Sequence, residues 1–309
     1  MKIVFMGTAP FAVPCLKALL QAGHTVCGVI TQPDKPRGRG HKTSYSPVKE
    51  YALQQGLEIC QPQKVKSVEA LRRIIAWNPD LITVVAYGQI IPESILTLPP
   101  CGCINVHGSL LPLYRGAAPI QRALMAGEKV TGVTTMYMDK GLDTGDIIRR
   151  AEMTIDDDID YGELQERLAE MGAELLLLTI NDIVAGTVCR EPQDSGLATY
   201  APALAGSDEL ICWDKPAEAI HNQIRALSPQ PGAYTTIDGS KLKIYRSRVI
   251  DTTASGRPGT VTSVSTGLSV QTGQGLLELL EVQKEGRKRM PARDFAAGQR
   301  IAAGIALGS

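Results

Sequence analysis

Short apolar runs spaced by helical stretches dominate the first third of the chain and leave few ways to fold it. Lys2 to Met6, Thr25 to Ile30, Leu81 to Ala86 and Cys103 to Val106 are runs of mostly aliphatic side chains. Runs without polar alternation suit strands that helices cover on both faces, the arrangement of a parallel sheet. Pro10 to Gln21 reads as a helix stopped by Gly23, and Val68 to Trp77 as another, with a shorter strand at Glu58 to Cys60. This β–turn–α–β opening predicts a doubly wound, Rossmann-like α/β unit with a mostly parallel sheet. Gly7-Thr8-Ala9-Pro10 departs from the G-x-G-x-x-G turn of dinucleotide binders, which argues against a nicotinamide enzyme.

The strand at Cys103 to Val106 runs into His107-Gly108-Ser109, a loop that Pro112 keeps irregular. Asn105 and His107 are two residues apart, so on extended chain they share a face. Asn is a poor strand former, and its amide wants several partners. A carboxamide and an imidazole at a strand's carboxyl end can both donate to a developing oxyanion, and the imidazole can also shuttle a proton. Neither forms a good covalent intermediate, which favours direct transfer between two bound substrates. The same pair is also at home satisfying backbone groups near a turn.

A second loop lies at 138–148, MDKGLDTGDII, where Gly141 and Gly145 flank Asp143 between two β-rich runs. A carboxylate there can come close to a neighbouring strand end, and beside His107 it would fix the tautomer of the ring. Taken alone, it equally suits an ordinary turn Asp.

Together, INVHGSLLPLYRGAAPIQ and GLDTGDI resemble the N10-formyltetrahydrofolate-dependent formyltransferases, and the similarity runs over most of the chain from GTAPFAVPCL onward. The resemblance puts the family's catalytic Asn, His and Asp on Asn105, His107 and Asp143. It puts a folate-site signature on Ser109, Leu110, Leu111 and Pro112, with Tyr87 and Gly88 of the Val84–Gly88 turn nearby. Arg115 could bind a folate's anionic tail or cap a helix; the residues do not separate the two.

Net charge is zero but unevenly spread: +7 over residues 1–150, −9 over 151–182 and +2 over 183–309. Basic parts of a neutral chain can still meet a polyanion. Pro33 to Lys49 carries five Lys and Arg against one acid, with three prolines and two glycines, and reads as a long loop. Its spacing of cations around Tyr45 suits phosphates and some base stacking. In the branch of the family that acts on aminoacylated tRNA, a basic loop here reaches the acceptor end. The matching residues are Lys35, Arg37, Arg39 and Lys42.

Residues 160–178 form an amphipathic helix whose apolar face is Tyr161, Leu164, Leu168, Met171, Leu175 and Leu178, with Asp160 and Glu163 at capping-box spacing. Gly186 to Gly206 turns to Gly, Pro, Ala and Thr without periodicity and reads as a linker. A helix over Lys215 to Leu227 follows, then short strands with Gly-containing turns, the pattern of a small β-barrel. Lys241, Lys243, Arg246 and Arg248 share one strand, and Lys284, Arg287, Lys288, Arg289 and Arg293 form a second cluster. The resemblance implies an OB-like tRNA-binding domain here. The expected layout is a catalytic domain at 1–188, a linker at 189–206 and the OB-like domain at 207–309. One departure is Tyr200-Ala201-Pro202-Ala203, where relatives commonly carry Tyr-Ala-x-Lys.

The seven cysteines have no framework spacing, and Cys101-x-Cys103 sits inside an apolar strand, so reduced core cysteines in a cytoplasmic chain are expected. No apolar run approaches the roughly 20 residues that span a bilayer, and the apolar start is too short for a signal peptide. No ligand spacing for a metal is evident. The resemblance implies formyl transfer from 10-formyltetrahydrofolate, as cosubstrate, to the α-amine of methionyl-initiator-tRNA, by a monomer and without metal. Two rivals are a small-molecule formyltransferase or formyl-folate hydrolase with the same triad, and a catalytically silent nucleic-acid binder.

Overall fold

Each expected apolar run becomes a strand. The computed structural model describes residues 1–37 and 42–308, with backbone alone at 35–37, 42 and 43. In chain order the first elements are β1 (Lys2–Gly7), α1 (Val13–Gln21), β2 (Thr25–Ile30), β3 (Lys35–Arg37), β4 (Lys42–Ser44) and α2 (Pro47–Gln54). Then come β5 (Ile59–Cys60), α3 (Val68–Trp77), β6 (Leu81–Val85), α4 (Glu93–Leu96), β7 (Cys103–His107) and α5 (Pro119–Ala126). β8 (Val130–Tyr137), β9 (Ile147–Thr154) and α6 (Tyr161–Ala185) follow. Two compact units form: residues 1–119, 131–153 and 165–201, and residues 120–130, 154–164 and 202–309.

The first unit is built on a seven-stranded sheet in the order β5-β2-β1-β6-β7-β8-β9. β5, β2, β1, β6 and β7 pair in parallel, and β8 lies antiparallel to β7. Alternation along β1 divides the core between two faces. Val4 and Met6 join Ile74 and Trp77 of α3 in one cluster, and Ile3 and Phe5 are buried on the other side. Strand order reverses between β1 and β6, so the carboxyl edge there and beside β7 is where an open α/β sheet makes its crevice.

Two expectations change in detail. The basic stretch is not structureless: β3 and β4 pair as an antiparallel ribbon, Lys35 opposite Ser44 and Arg37 opposite Lys42. Helix α6 continues to Ala185, and Leu178 is exposed while Leu176 and Ile180 are buried. At 3.6 residues per turn the buried face centres near Gly172 and Thr179, to one side of the Leu168–Leu175 line; Leu176 and Ile180 lie on that side and Leu178 on the other. Gly172 sits on the packed stripe; a Cβ there would stand 3.0 Å from Cγ1 of Val106, so its absence lets α6 approach the strand that carries the site.

In the second unit, α7 (Ala217–Ala226) precedes β10 (Ala233–Ile237), β11 (Ser240–Asp251), β12 (Val261–Ser263), β13 (Leu268–Gln271), β14 (Leu276–Lys284), β15 (Met290–Pro291) and α8 (Ala292–Gln299). The strands make one antiparallel sheet, β10-β11-β14-β13-β12, with β15 on β14. Register shifts along β11 bend and curl it. Ile220 and Ile224 of α7 and Phe295 of α8 fill its core with Leu242, Ile244, Leu277 and Leu279.

Burial pushes the thiols of Cys15 and Cys103 up to about 12, as apolar packing of reduced cysteines requires. No described helix is long and apolar enough to cross a membrane.

Candidate active site

β7 ends at His107 because Gly108 and Ser109 leave the sheet, and the chain then doubles back through a cis Leu111–Pro112 peptide. Asn105 and His107 share a face, as their spacing requires. The Asp143 loop lies between the ends of β8 and β9, folded on Asp139, whose Oδ1 accepts from Gly141 N at 2.9 Å and from the Thr144 hydroxyl at 2.6 Å. A Cβ on Gly145 would collide with the Tyr137 carbonyl, which explains the second glycine of the motif.

The three side chains expected from sequence do converge. Asn105 Nδ2 donates to Asp143 Oδ1 at 3.4 Å, and His107 Nδ1 stands 3.7 Å from Asp143 Oδ2. Asp143 Oδ2 also accepts the backbone N–H of Gly116 at 2.9 Å. His107 Nε2 faces the Tyr114 carbonyl at 3.0 Å, and since a carbonyl can only accept, Nε2 carries the proton in that bond. Both ring nitrogens therefore face oxygen acceptors, and the ring is almost wholly buried.

Backbone strain marks the same place. Ala86, Tyr114 and Asp143 all have positive φ, at 44°, 59° and 52°. Non-glycine residues seldom adopt that region, least of all without a short polar side chain, and such departures gather at functional sites.

The residues expected to line a folate pocket separate into two groups. Ser109 and Leu111 are buried: the Ser109 hydroxyl donates to Leu113 O at 2.6 Å, and Leu111 packs with Met136 and Ile147. The Tyr87 ring is also in the core, with burial pushing its phenol up to about 12. Only the backbone of Tyr87 reaches the edge, where its carbonyl accepts from Thr8 Oγ1 at 2.9 Å and Gln32 Nε2 at 3.2 Å. Ala86 and Gly88 are exposed, and Leu110 and Pro112 half-buried. Arg115 is buried with Nε and Nη2 on Gln193 Oε1, so the guanidinium neither caps a helix nor faces open solvent.

Of the expected tRNA contacts, Lys35, Arg37 and Lys42 lie on the β3–β4 ribbon, and Arg39 lies outside the described residues. The ribbon's base is clamped by Asp34, whose carboxylate takes Lys49 Nζ at 2.5 Å and Gln61 Nε2 at 2.8 Å. These bonds hold the Asp34 carboxyl below the usual range.

Sequence reading missed several supports of the site. Thr134 on β8 donates to Ser109 O at 2.7 Å and accepts Leu111 N at 3.1 Å. Thr199, Ala201 and Gln193 come from the expected linker. Thr199 Oγ1 accepts Tyr114 N at 2.8 Å, and Ala201 N donates to Arg115 O at 2.7 Å. Residues 189–201 are thus part of the first unit. Among the described residues, no cluster of three or more His, Cys, Asp or Glu could hold a metal ion.

Comparison with known proteins bears on this geometry. Residues 1–180 match the family model described as formyl transferase, and residues 204–300 the model of the formyl transferase C-terminal domain. A methionyl-tRNA formyltransferase of Syntrophomonas wolfei is 53% identical over 311 residues, spanning 100% of this chain and 99% of that one. One from Moorella thermoacetica is 51% identical over 309 residues, again 100% and 99%. Among solved structures, an N-formyltransferase from Helicobacter canadensis in complex with folinic acid and dTDP-3-aminofucose superposes with a TM-score of 0.68 at 19% identity, covering 92% of this chain and 99% of that one. With both family models matched and full-length relatives at about half identity, the chain belongs to the formyl transferase family.

Proposed function

We propose that this chain transfers the formyl group of 10-formyltetrahydrofolate to the α-amino group of methionyl-initiator-tRNA, the acceptor charged for translation initiation. The observation that carries it is the convergence of Asn105, His107 and Asp143 at the carboxyl end of β7, the residues to which the resemblance assigns the family's triad. Relatives of full length and about half identity bear the name of that activity.

The folate supplies an activated formyl group. The residues that fit it are the exposed backbone of Ala86 and Gly88 and the half-buried Leu110 and Pro112, an apolar and backbone-rich edge suited to a flat heterocycle. Ser109, Leu111 and the Tyr87 ring act from behind, shaping that edge. As the amine attacks, a C–N bond forms and the formyl oxygen gains negative charge. Asn105 Nδ2 and the His107 N–H donate to it, with the incoming oxygen displacing Tyr114 O from His107 Nε2. Loss of the C–N10 bond regenerates the carbonyl. Asp143 holds the ring from its other side and, with His107, takes the amine's proton and passes it toward the leaving nitrogen.

The ribbon cations Lys35, Arg37 and Lys42, with Arg39 between the strands in sequence, are assigned to the acceptor end of the tRNA. The curled C-terminal sheet is read as an OB-like tRNA-binding fold. Arg246, Arg287, Lys288 and Arg293 support this: they are exposed, and among the described residues their side chains are unpaired. A formylation assay tests the whole reading, with charged initiator tRNA, elongator tRNA and small amines offered side by side. Initiator tRNA should be strongly preferred; equal use of a small amine would overturn the tRNA assignment.

A further inference from the structure

Asp143 is held from two directions. Its carboxylate meets Asn105, His107 and Gly116 N, while its backbone carbonyl accepts Gln193 Nε2 at 2.9 Å. The same amide nitrogen donates to Gly145 O at 2.7 Å. Gln193 Oε1 in turn accepts Arg115 Nε at 3.1 Å and Nη2 at 2.7 Å. Both amide protons and the carbonyl oxygen are thereby committed. Arg115 stands between Tyr114, whose carbonyl holds His107, and Gly116, whose N–H holds Asp143. A single carboxamide therefore ties the loop behind His107 to the loop behind Asp143. It comes from residues 181–203, outside both matched family spans.

We propose that Gln193 is a positioning residue for formyl transfer: its Nε2 fixes the left-handed Asp143 peptide and its Oε1 locks that peptide to Arg115, so that the Asp143 carboxylate stays between Asn105 and His107. The inference rests on the proposed function for its kinetic readout. Without the two Nε2 bonds, the carbonyl side of a residue with φ of 52° loses its anchor, and its carboxylate is freer to swing with the loop. Positioning of this kind acts on turnover more than on binding, because the folate edge and the basic ribbon are built from other residues.

Gln193→Met removes donor and acceptor at nearly constant length. Gln193→Glu keeps an acceptor for Arg115 and sets a carboxylate against two carbonyls. Each should lower kcat, by up to about 10²-fold, with both KM values little changed. The deciding measurement is a double-mutant cycle. In an Asp143→Ala background, Gln193→Met should change kcat by less than about 2-fold, since residues acting through one another do not add. Full additivity, or an undisturbed kcat in the single variants, overturns the proposal. If Gln193→Met does not fold, Gln193→Asn, which withdraws the same amide by one methylene, goes through the same cycle. A second readout is independent of activity: the ring ¹⁵N resonances of His107 should move in Gln193→Met as they do in Asp143→Ala. Wild-type protein inert toward methionyl-tRNA would sink the proposed function alone, and His107 resonances that ignore Gln193 would sink this inference alone.

Discussion

At the scale of single residues, the site depends on a few short distances, which makes its variants informative. Asn105→Ala, His107→Ala and Asp143→Ala should each leave a folded protein whose turnover falls roughly 10²–10³-fold, the loss seen when one oxyanion donor is removed elsewhere. Single-turnover formylation with a thermal melt beside it checks this, and near-normal turnover in the His107 or Asp143 variant would refute the mechanism. That Asn105 and His107 share a face was legible from their period-two spacing on a strand, whereas Asp143 was joined to them by the resemblance, since a glycine-flanked acid taken alone equally suits a turn. Gln193 was not legible. A lone glutamine in an aperiodic stretch has no local signature, and its partners Asp143 and Arg115 are 50 and 78 residues away. The direction of the Tyr87 ring was not legible either. Alternation gives no direction here: Tyr87 lies beyond β6, after the positive φ of Ala86, and its ring packs into the core with Ile82 and Val84.

At the scale of elements, charge read along a strand differs from charge read across a sheet. Arg248 looks free of acids within β11, yet it pairs at 2.6 Å with Glu278 of β14, directly opposite it in register. Burial pushes the Glu278 carboxyl up, but the Thr266 hydroxyl and Arg248 outweigh this and leave it below its ordinary value. Lys241 likewise faces Glu209 at 3.8 Å and lies over the Tyr234 ring. The β3–β4 ribbon went unread because three-residue strands broken by glycine and proline carry no period. Its function can be tested directly. Replacing Arg39 and Lys42 with Ala should weaken use of methionyl-tRNA and flatten the log–log salt dependence by about one unit per lost phosphate contact, slightly less on single strands, with folate binding unchanged. Identical salt curves for variant and parent would leave tRNA binding to the C-terminal sheet alone. A second element-scale test concerns α5. Its Arg122 grips Asp208 with two bonds of 2.8 and 2.9 Å, and together with Ala205 N this holds the Asp208 carboxyl below its ordinary value. The folded pKa lies below the unfolded one. The stability it contributes is therefore present above the unfolded carboxylate range, near 4, and lost as pH falls through the folded value. Arg122→Ala should cost roughly 1.5–3 kcal/mol at neutral pH and flatten the fall in melting temperature on the acid side. An unchanged acid limb would show that the pair is merely a surface contact.

At the scale of the whole molecule, order along the chain and membership of a compact unit are different things. The sequence reading divides the chain at 189–206, and the two family models leave residues 181–203 between them unmatched. The second unit, however, takes residues 120–130 and 154–164 from the N-terminal half. Arg225, buried in α7, donates to the carbonyls of Asp156 and Ile159 at 3.1 and 3.4 Å, and His221 Nε2 faces Asp157 O at 3.2 Å. Arg122 reaches Pro202 O and Ala203 O as well as Asp208, and Asn222 packs against Gly127. Apart from the two bonds to Pro202 O and Ala203 O, none of these contacts depends on an unbroken backbone between 201 and 206. Residues 191–201 are tied into the first unit instead, by Glu191 paired with Ile147 and Arg150, and by Gln193 and Thr199. A protease cut at 202–206 should therefore give two bands in denaturant but one particle on gel filtration. That particle should retain formyl transfer, because the bonds to Asp143 and Arg115 lie before the cut. A chain ending at residue 201 should fare worse. Ile155, Ile159 and Ala123 would lose the cover that the rest of their unit gives them, and the fragment should unfold without a single cooperative transition. Fragments that separate under native conditions, with the shorter one melting as sharply as the parent, would establish two independent domains and show that these buried bonds contribute little.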